Sequence, residues 1–466
     1  MLEKDTISAI STPSGKGGVA LIRISGDSAV EVADRIFRTP GGRVASALAD
    51  RRATFGSVYA PNEELAIDDV LLTVMRAPNT FTGEDTVEIC CHGGVLVTHS
   101  VLAATLAAGA RAATAGEFTR RAFVNGKMTL TEAESLGMLL DASSDAQVRL
   151  YRSGMLGRLS QKTSEIYDSL CAVQSSLFAA IDYPDEDLAE MSFEELVAAL
   201  TSAARDCERL ANTYRTGRAI GTGIPTVICG KPNAGKSSLY NLLVGYDAAI
   251  VTDVKGTTRD VLTQSVSLGA VTLRLKDTAG IRENADQIES IGIRRALDEL
   301  EDAELVLMVL DTSAPPDDED LALVEKVGST RAVKIAILNK TDAAGSAEHS
   351  LAFRACVDGV ADECIEMSAL RGTGLDALRE LIESKYIDGT ISIGNDAVVM
   401  NARQAAALCS AMEALERATE LARDGAELDM CCADVEAALI ALGGIDGRAV
   451  SEDVVSGIFS HFCVGK

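Results

Sequence analysis

The sequence predicts a multidomain protein with an α+β N-terminal domain, an α-helical domain, and an α/β domain inserted into the helical one. Three observations support this prediction. Short apolar runs alternate with helical segments across residues 221–388, which is the pattern of consecutive βα units. Helical spacing of apolar residues precedes this region in residues 126–220 and returns in residues 389–466. Residues 1–125 mix strand-like and helix-like patterns, as α+β domains do.

In the N-terminal domain we predict strands at 19–24 and 69–75 and helices at 28–37 and 94–108. The longest apolar stretch of the chain, residues 95–110, is interrupted by polar residues. It is therefore interpreted as a packed helix rather than a membrane span.

The helical domain is predicted in two segments, and apolar residues repeat at helical spacing in each. We expect a helix to end near Pro184 and another to follow over 193–214. The chain ends in a Cys-Val-Gly-Lys tail at 463–466, preceded by Phe459 and Phe462, and so apolar an end is predicted to dock against other residues. Because domain termini often lie close together, the α/β domain can be inserted between the two segments. The repeating positions are Leu130, Ala133, Leu136, Leu139 and Leu140 in the first segment and Ala405, Leu408, Met412 and Leu415 in the second.

The first strand of the α/β domain leads into a phosphate-binding motif. Residues 230–237 read GKPNAGKS, between a predicted strand at 224–229 and a predicted helix at 238–243. In such a loop backbone N–H groups wrap phosphates, Lys236 reaches the β- and γ-phosphates, and Ser237 ligates Mg²⁺. The alternative is a Gly- and Ser-rich turn that contains Lys by chance. Further motifs follow, however, in the order of a Ras-like P-loop GTPase domain, whose later strands are predicted at 271–276, 305–310, 333–338 and 365–368.

The later motifs identify the base. Asn339, Lys340 and Asp342 form an N-K-x-D run. A carboxylate accepts two hydrogen bonds from the N1–H and amino groups of guanine, which adenine cannot offer. The predicted nucleotide is therefore GTP. The remaining motifs are Thr257 and Thr258, the D-T-A-G run at 277–280, and the S-A-L run at 368–370.

The residue that orients the attacking water in small signalling GTPases is missing. That residue is a Gln after D-T-A-G, and this chain has Ile281. Either the domain hydrolyses GTP poorly or another residue positions the water. Glu289 is the candidate, although an ordinary surface glutamate at a helix start is the favoured interpretation from the residues alone. No arginine finger is identifiable, so the charge that develops during phosphoryl transfer needs another source.

Composition restricts the partners and the compartment. The net charge of −26 argues against broad non-specific affinity for nucleic acids. Any RNA contact would need a local patch, and the basic stretches 111–127 (with Arg120 and Arg121) and 205–218 are interpreted first as solvated faces. The 11 Cys show no C-x-x-C spacing and there are only 4 His, so we expect no metal cluster. Free thiols and the absence of a signal peptide indicate a cytoplasmic protein.

The chain resembles the MnmE (TrmE) family of tRNA-modification GTPases over essentially its full length. The outer segments are specific to that family, whereas the GTPase motifs fit several families. The matching segments read DTI at 5–7, LIRISG at 21–26, FTGED at 81–85, HGG at 92–94, GEFTRRAF at 116–123, NGK at 125–127, GTTRD at 256–260 and FCVGK at 462–466.

The resemblance implies that the N-terminal domain binds tetrahydrofolate and forms a constitutive homodimer. By motif, Arg23, Glu84, Lys127 and Lys466 contact a formyl-tetrahydrofolate, since Arg and Lys suit its glutamate tail and Glu suits its pterin edge. Each residue taken alone is equally a surface charge. Cys463 matches the family's terminal cysteine, which is either a direct participant in the chemistry or a buried structural thiol.

The resemblance also implies that a K⁺ ion replaces the arginine finger when two GTPase domains meet, so that dimerisation activates hydrolysis. Glu289 matches the glutamate that positions the attacking water through a second water, which reverses the interpretation from the residues alone. Lys255 stands where a small residue is expected and adds a cation near the K⁺ site. The implied K⁺ ligands are Asn233, Thr252, Val254 and Thr257, and the implied Mg²⁺ ligands are Ser237 and Thr258.

Together with the motifs above, the resemblance gives a full set of GTP-binding positions, with Lys236, Glu289 and Cys463 as the catalytic candidates. The predicted GTP-binding residues are Asn233, Ala234, Gly235, Lys236, Ser237, Ser238, Thr252, Asp253, Val254, Lys255, Gly256, Thr257, Thr258, Asp277, Thr278, Ala279, Gly280, Asn339, Lys340, Asp342, Ser368, Ala369 and Leu370.

Finally, the resemblance implies a flavoprotein partner, MnmG (GidA), in a heterotetramer-type complex, with tRNA as substrate. FAD and NADH belong to that partner, methylene-tetrahydrofolate supplies a carbon, and glycine or ammonium supplies the nitrogen added at C5 of the wobble uridine. The alternative is a GTP-switched RNA or ribosome assembly factor, which would share the GTPase motifs without needing Arg23, Glu84, Lys127 or Cys463. Another alternative is a GTPase whose folate site has decayed.

Overall fold

The computed structural model describes residues 5–182, 192–246, 263–276, 302–424 and 428–465. The chain divides into two compact units, Met1–Gly137 with Ile440–Lys466, and Met138–Leu439. Both ends of the chain therefore belong to the same unit. Among the described residues, no helix is both long enough and apolar enough to cross a membrane.

The first unit is built on a seven-stranded sheet with two helices. Strand β2 buries Ala20, Ile22 and Ile24 in a core shared with both helices, whereas Leu21 and Arg23 are only partly buried. This alternation is what a strand with one covered face requires. The sheet order is β3-β4-β5-β6-β2-β1-β7, and only the β1–β7 pair is parallel. The elements are β1 Ile7–Ile10, β2 Val19–Ser25, α1 Ala29–Ile36, β3 Phe37–Arg38, β4 Thr54–Tyr59, β5 Ala66–Met75, β6 Thr86–His92, α2 Val95–Ala107 and β7 Arg111–Ala112.

Three further helices and the C-terminal tail complete the first unit. They are α3 Glu117–Val124, the greater part of α4 Leu130–Leu140, and α15 Glu452–Ser460. Phe459 of α15 is buried with Leu130 of α4. The tail pairs Val464 with Ala115, and the Ser11 hydroxyl donates to the Gly465 carbonyl at 3.0 Å. The prediction that the apolar tail docks is confirmed.

The second unit contains the long helices. The Ser192 side chain and Glu195 form a capping box that starts α7, and α7 packs along α13. The helix predicted over 193–214 corresponds to α7, which ends two residues earlier, at Asn212, and a separate helix, α8, begins at Tyr214. Helix α6 ends at Asp182, and Pro184 lies outside the described residues. The helices are α5 Asp145–Met155, α6 Arg158–Asp182, α7 Phe193–Asn212, α8 Tyr214–Ile220, α13 Ala402–Arg423 and α14 Leu428–Asp446, which continues into the first unit.

A six-stranded sheet lies within the second unit. Its order is β13-β12-β11-β8-β10-β9, and only β9 and β10 are antiparallel. If β8 to β13 are numbered 1 to 6 and the sheet is read from β9, the order is 2-3-1-4-5-6. Buried residues on both faces of the sheet form two cores, as expected for a parallel sheet. The predicted architecture of α+β, helical and Ras-like α/β parts is confirmed. The elements are β8 Ile224–Gly230, α9 Lys236–Tyr246, β9 Thr263–Leu268, β10 Val271–Lys276, β11 Leu305–Asp311, α10 Asp318–Gly328, β12 Val333–Asn339, α11 Ser346–Val357, β13 Glu363–Glu366 and α12 Leu375–Tyr386.

Candidate functional site

The phosphate loop joins β8 to the start of α9, at the edge where the parallel strands end. The first hydrogen bond of α9 runs from Leu239 N–H to the Gly235 carbonyl at 2.9 Å. The amides at the start of a helix have no partner within it and carry partial positive charge, so they suit phosphate oxygens. Lys236 Nζ donates to the carbonyls of Gly230 at 2.9 Å and Lys231 at 2.8 Å. The ammonium is thus held across the loop, and burial lowers the pKa of Lys236.

The loop leaves no room for a side chain at Gly235. Its φ is +104°, and a Cβ there would lie 2.0 Å from Nδ2 of Asn339. Asn233 is also in the left-handed region, with φ +62°, and its side chain is exposed. Ser237 and Ser238 lie exposed in the first turn of α9. The loop therefore offers amides, one ammonium and exposed polar side chains to the same space.

Asn339, at the end of β12, joins the phosphate loop to the base-reading loops. It is buried, with 3% of its surface exposed. Its Nδ2 donates to the Ala234 carbonyl at 2.8 Å, and its Oδ1 accepts from the Ala369 N–H at 2.9 Å. One side chain thus fixes the distance between the loop that suits phosphates and the loops that would read a base.

Asp342 presents a carboxylate beside this junction. Oδ1 accepts from the Ser368 hydroxyl at 2.7 Å, and Oδ2 lies 3.4 Å from the Arg371 guanidinium. The hydrogen bond from Ser368 holds the pKa of Asp342 below its ordinary value, so the group is ionised at neutral pH. Leu370, in the same loop, is 83% exposed and leaves an apolar surface uncovered beside the carboxylate.

Three ion pairs that the sequence did not predict stabilise the loops of this site. Lys340 pairs with Asp311 at the end of β11, at 2.6 Å. Lys231 of the phosphate loop pairs with Asp317 and Asp320 at the start of α10. Asp311 ends the buried strand β11, and Asp317 and Asp320 come after it, which is the only signal in the sequence for these three acidic partners.

Several predicted positions lie outside the described residues, so the structure describes neither their geometry nor their contacts. Strand β10 ends at Lys276, and because β10 is parallel to β8 it ends at the edge that carries the phosphate loop. The positions outside are Thr252, Asp253, Val254, Lys255, Gly256, Thr257, Thr258, Asp277, Thr278, Ala279, Gly280, Glu289 and Lys466.

In the first unit, three predicted side chains adjoin the loop between β5 and β6. Arg23 of β2 places its guanidinium 5.7 Å from the centre of the Phe81 ring and pairs with Glu88 at 2.8 Å. Glu84 lies on the loop itself. The Lys127 side chain lies against Gly83, where a Cβ would meet it at 3.3 Å. The structure thus brings Arg23, Glu84 and Lys127 to one loop.

Glu84 is held by a buried cation. Arg121 is 1% exposed and donates from Nη1 to both Glu84 oxygens at 3.2 Å. The Ser25 hydroxyl donates to Glu84 Oε2 at 2.8 Å. Arg121 also pairs with Asp5 and Glu117. The interpretation of Arg121 as part of a solvated face is wrong, because its charge is neutralised by acidic residues inside the unit.

Cys463 lies in the docked tail, with its side chain exposed. Its carbonyl accepts from the Gly116 N–H at 3.4 Å, at the start of α3. The interpretation of Cys463 as a buried structural thiol is wrong, because the side chain is exposed. A role in chemistry stays a prediction.

Comparison with known proteins identifies the family. Residues 6–127 match the family described as "GTP-binding protein TrmE N-terminus", and residues 130–463 match "MnmE helical domain". Curated relatives named "tRNA modification GTPase MnmE" include those of Bacillus licheniformis and Bacillus subtilis strain 168, each 38% identical over 99% of this chain and 100% of the relative. The relative from Clostridioides difficile strain 630 is 36% identical over 100% of both chains.

Solved structures were also compared. Era bound to MgGDPNP and a 16S ribosomal RNA segment is 26% identical over 41% of this chain and 65% of that chain, with a TM-score of 0.28. The G domain of T. maritima FeoB is 25% identical over 35% of this chain and 98% of that chain, with a TM-score of 0.26. The full-length identity to the curated relatives, together with the two family matches, shows that the chain belongs to the MnmE (TrmE) family of tRNA modification GTPases.

Proposed function

We propose that this protein hydrolyses GTP to drive the modification of tRNA at C5 of the wobble uridine. The observation that carries the proposal is the position of Asn339, whose side chain joins the phosphate loop at Ala234 to the base-reading loop at Ala369. A binding site for a guanine nucleotide needs these two loops at a fixed separation. Membership of a family whose curated relatives are named tRNA modification GTPases supplies the substrate.

The chain's own residues account for binding of the nucleotide. The α9 amides and the Lys236 ammonium meet the β- and γ-phosphates, and the Asp342 carboxylate accepts from the guanine N1–H and amino groups. Ser237 and Thr258 would hold Mg²⁺, and Asn233, Thr252, Val254 and Thr257 would hold K⁺. These cations supply positive charge where charge develops during phosphoryl transfer. The exposed side chains of Asn233 and Ser237, on the side of the loop that faces solvent, fit such ligands. Glu289 positions the attacking water.

A second site, in the first unit, takes a formyl- or methylene-tetrahydrofolate. Arg23 and Lys127 bind its carboxylates and Glu84 binds its pterin edge, with Lys466 as a further contact. The support is that three of these side chains adjoin one loop and that Arg121 and Ser25 hold Glu84 in place. The folate supplies the carbon that is transferred, and Cys463 is a candidate participant. The protein acts as a homodimer with the MnmG flavoprotein, which carries FAD and NADH.

Nucleoside mass spectrometry on tRNA from cells that lack this chain tests the proposal. Loss of the aminomethyl-type C5 wobble uridines is the expected result. Complementation by the wild-type chain and failure of a Lys236→Ala variant would tie the loss to the nucleotide site. Unchanged tRNA in the deleted strain would contradict the proposal and favour a GTP-switched assembly factor.

Hydrolysis assays in K⁺ and Na⁺ buffers test the cation assignment. Asn233→Ala should lose the stimulation by K⁺ over Na⁺ while GTP binding is largely kept. Asn241→Ala, which removes an exposed amide from α9, is the matched control and should keep the stimulation. Glu289→Ala should slow hydrolysis by about 10² or more, the effect of losing one positioned catalytic group. A K⁺-stimulated Asn233→Ala variant would refute the K⁺ ligand set, and an unchanged rate for Glu289→Ala would return that residue to an ordinary surface glutamate.

Calorimetry with 5-formyl-tetrahydrofolate tests the folate site independently of the nucleotide. Glu84→Gln removes the carboxylate but keeps the side-chain length. It should weaken binding, whereas Glu64→Gln, on the exposed turn before β5, should not. No detectable binding by the wild-type chain would leave a GTPase whose folate site has decayed.

A further inference from the structure

The end of strand β11 supports the base-reading motif from one side. Strands β11 and β12 are parallel, and the register pairs Asp311 with Asn339. Thr312, which is fully buried, donates to the Asn339 carbonyl from its N–H at 3.0 Å and from its hydroxyl at 2.8 Å. The backbone that carries Asn339 is thus fixed by the residues that follow β11.

Asp311 itself holds the next residue of the motif. Oδ2 accepts from Lys340 Nζ at 2.6 Å, and Oδ1 accepts from the Ser313 N–H at 2.9 Å and its hydroxyl at 2.6 Å. Burial opposes ionisation, but the hydrogen bonds from Lys340 and Ser313 hold the pKa of Asp311 below its ordinary value. Lys340 has φ +68°, a conformation that residues other than Gly rarely adopt. The Lys340 ammonium is therefore held by Asp311, and Asp311 is itself held by Ser313.

Lys340 has a second acidic neighbour. It stands two residues before Asp342, and its charge is the smallest of the contributions that lower the pKa of that group. A Lys340 ammonium released from Asp311 would be drawn toward Asp342. There it would compete with the N1–H and amino groups of guanine for the same carboxylate oxygens.

We propose that Asp311 is a positioning residue of the guanine site, which keeps the Lys340 ammonium away from Asp342, so that this cation is not added to the contacts that Ser368 and Arg371 already make with the carboxylate. The inference rests on the guanine-nucleotide binding proposed above. It assigns to the end of β11 a share of the selectivity for guanine, in addition to the N-K-x-D motif.

The test compares Asp311→Asn with the wild-type chain by titration with GDP and with inosine diphosphate, which lacks the 2-amino group. The pair is partly exposed, so its loss should raise the Kd for GDP about five- to tenfold. The Kd for inosine diphosphate should rise less, because this ligand makes one of the two contacts with Asp342. A merely structural effect would change both constants by the same factor.

Two control variants isolate the contribution of the Asp311–Lys340 pair. Glu363 pairs with Lys385 at 2.7 Å, with comparable exposure, in the same sheet-containing unit. Glu363→Gln should therefore leave both constants unchanged. In a Lys340→Met background, Asp311→Asn should have no further effect, because its only route to the base is through Lys340.

Each outcome has a distinct meaning. If Asp311→Asn leaves the Kd for GDP unchanged, changes both constants equally, or adds to Lys340→Met, the inference is overturned while guanine-nucleotide binding stands. An equal effect of Glu363→Gln overturns it too. If the wild-type chain binds neither nucleotide, the proposed function itself fails.

Discussion

Substituting Asn339 by Ala should uncouple the phosphate loop from the base-reading loop. The Asn339 side chain spans the two through one donated and one accepted hydrogen bond, both buried. Ala removes the bridge and leaves the Ala234 carbonyl and the Ala369 N–H without that partner. The separation of the two loops is then no longer fixed by this side chain.

The magnitude follows from the two groups left behind. A buried polar group that loses its partner costs about 1–3 kcal/mol, so the pair accounts for about 2–4 kcal/mol if water partly replaces the side chain. We expect the free energy of unfolding to fall by about that amount. Without the bridge, the distance between Lys236 and Asp342 is no longer fixed, and these residues bind opposite ends of the nucleotide. The Kd for GDP should therefore rise about 10²-fold.

Urea denaturation and titration with a fluorescent GDP analogue measure both quantities. Asn395→Ala is the matched control, since among the described residues its amide donates to the exposed Ser392 hydroxyl, at 3.1 Å. Surface substitutions generally have small effects, so this variant should change neither the free energy of unfolding nor the free energy of GDP binding by more than about 0.5 kcal/mol. If Asn339→Ala keeps the wild-type Kd within about threefold and the wild-type stability, the bridge is not what holds the two loops in register.

Three further changes have definite expected results. Gly235→Ala should abolish detectable nucleotide binding by titration, because its Cβ would lie 2.0 Å from Asn339 Nδ2 at φ +104°. Asp342→Asn should shift the preference in competition assays from GTP to xanthosine triphosphate, because an amide can donate to the 2-oxo group that replaces the guanine amino group. Burial opposes the ionisation of Glu117, but hydrogen bonds, first among them that from Arg111, lower its pKa from 4.5 to about 2. Its stabilisation, about 3 kcal/mol, is complete above pH 4.5 and is lost as pH falls toward 2, which urea midpoints across that range will record.

Each of these has its own check. Gly245→Ala, in the same helix that follows the loop, meets no atom within 4 Å and should bind GDP normally. An Asp342→Asn chain that still prefers GTP would show that the base is read elsewhere. A Glu117→Gln chain should show a shallower loss of stability in acid, and an unchanged slope would assign that loss to other carboxylates.

The strand, loop and helix that carry the phosphate-binding motif were predictable because their signals are contiguous. The strand, loop and helix from Ile224 to Tyr246 follow one another along the chain, and local periodicity suffices to place them. What holds the site was not predictable. Asn339 contacts Ala234 and Ala369, which are 105 and 30 residues away, and no local pattern marks such pairs.

The first unit was predicted less completely for a related reason. Strand β6 reads TVEICCH, in which a Glu and two Cys obscure the alternation that marks β2. Strand β1 has only four residues, too few to show a period. Arg121 reads as a surface residue of a short helix, and its burial depends on Asp5, which is 116 residues away. The domain boundaries given by the sequence stay a prediction.

The two ends of the chain belong to the same unit, and this has a consequence for co-translational folding. Helix α15 and the docked tail belong with residues 1–137, yet the ribosome delivers them only after all of residues 138–439. At ordinary synthesis rates that interval is roughly 15–60 s. During it the nascent first unit lacks Phe459 against Leu130 and Val464 beside Ala115, and exposes the surfaces they later cover. A ribosome stalled before the last helix would therefore display an unfinished first unit, and chaperones that recognise exposed apolar surface would have their chance to bind it then.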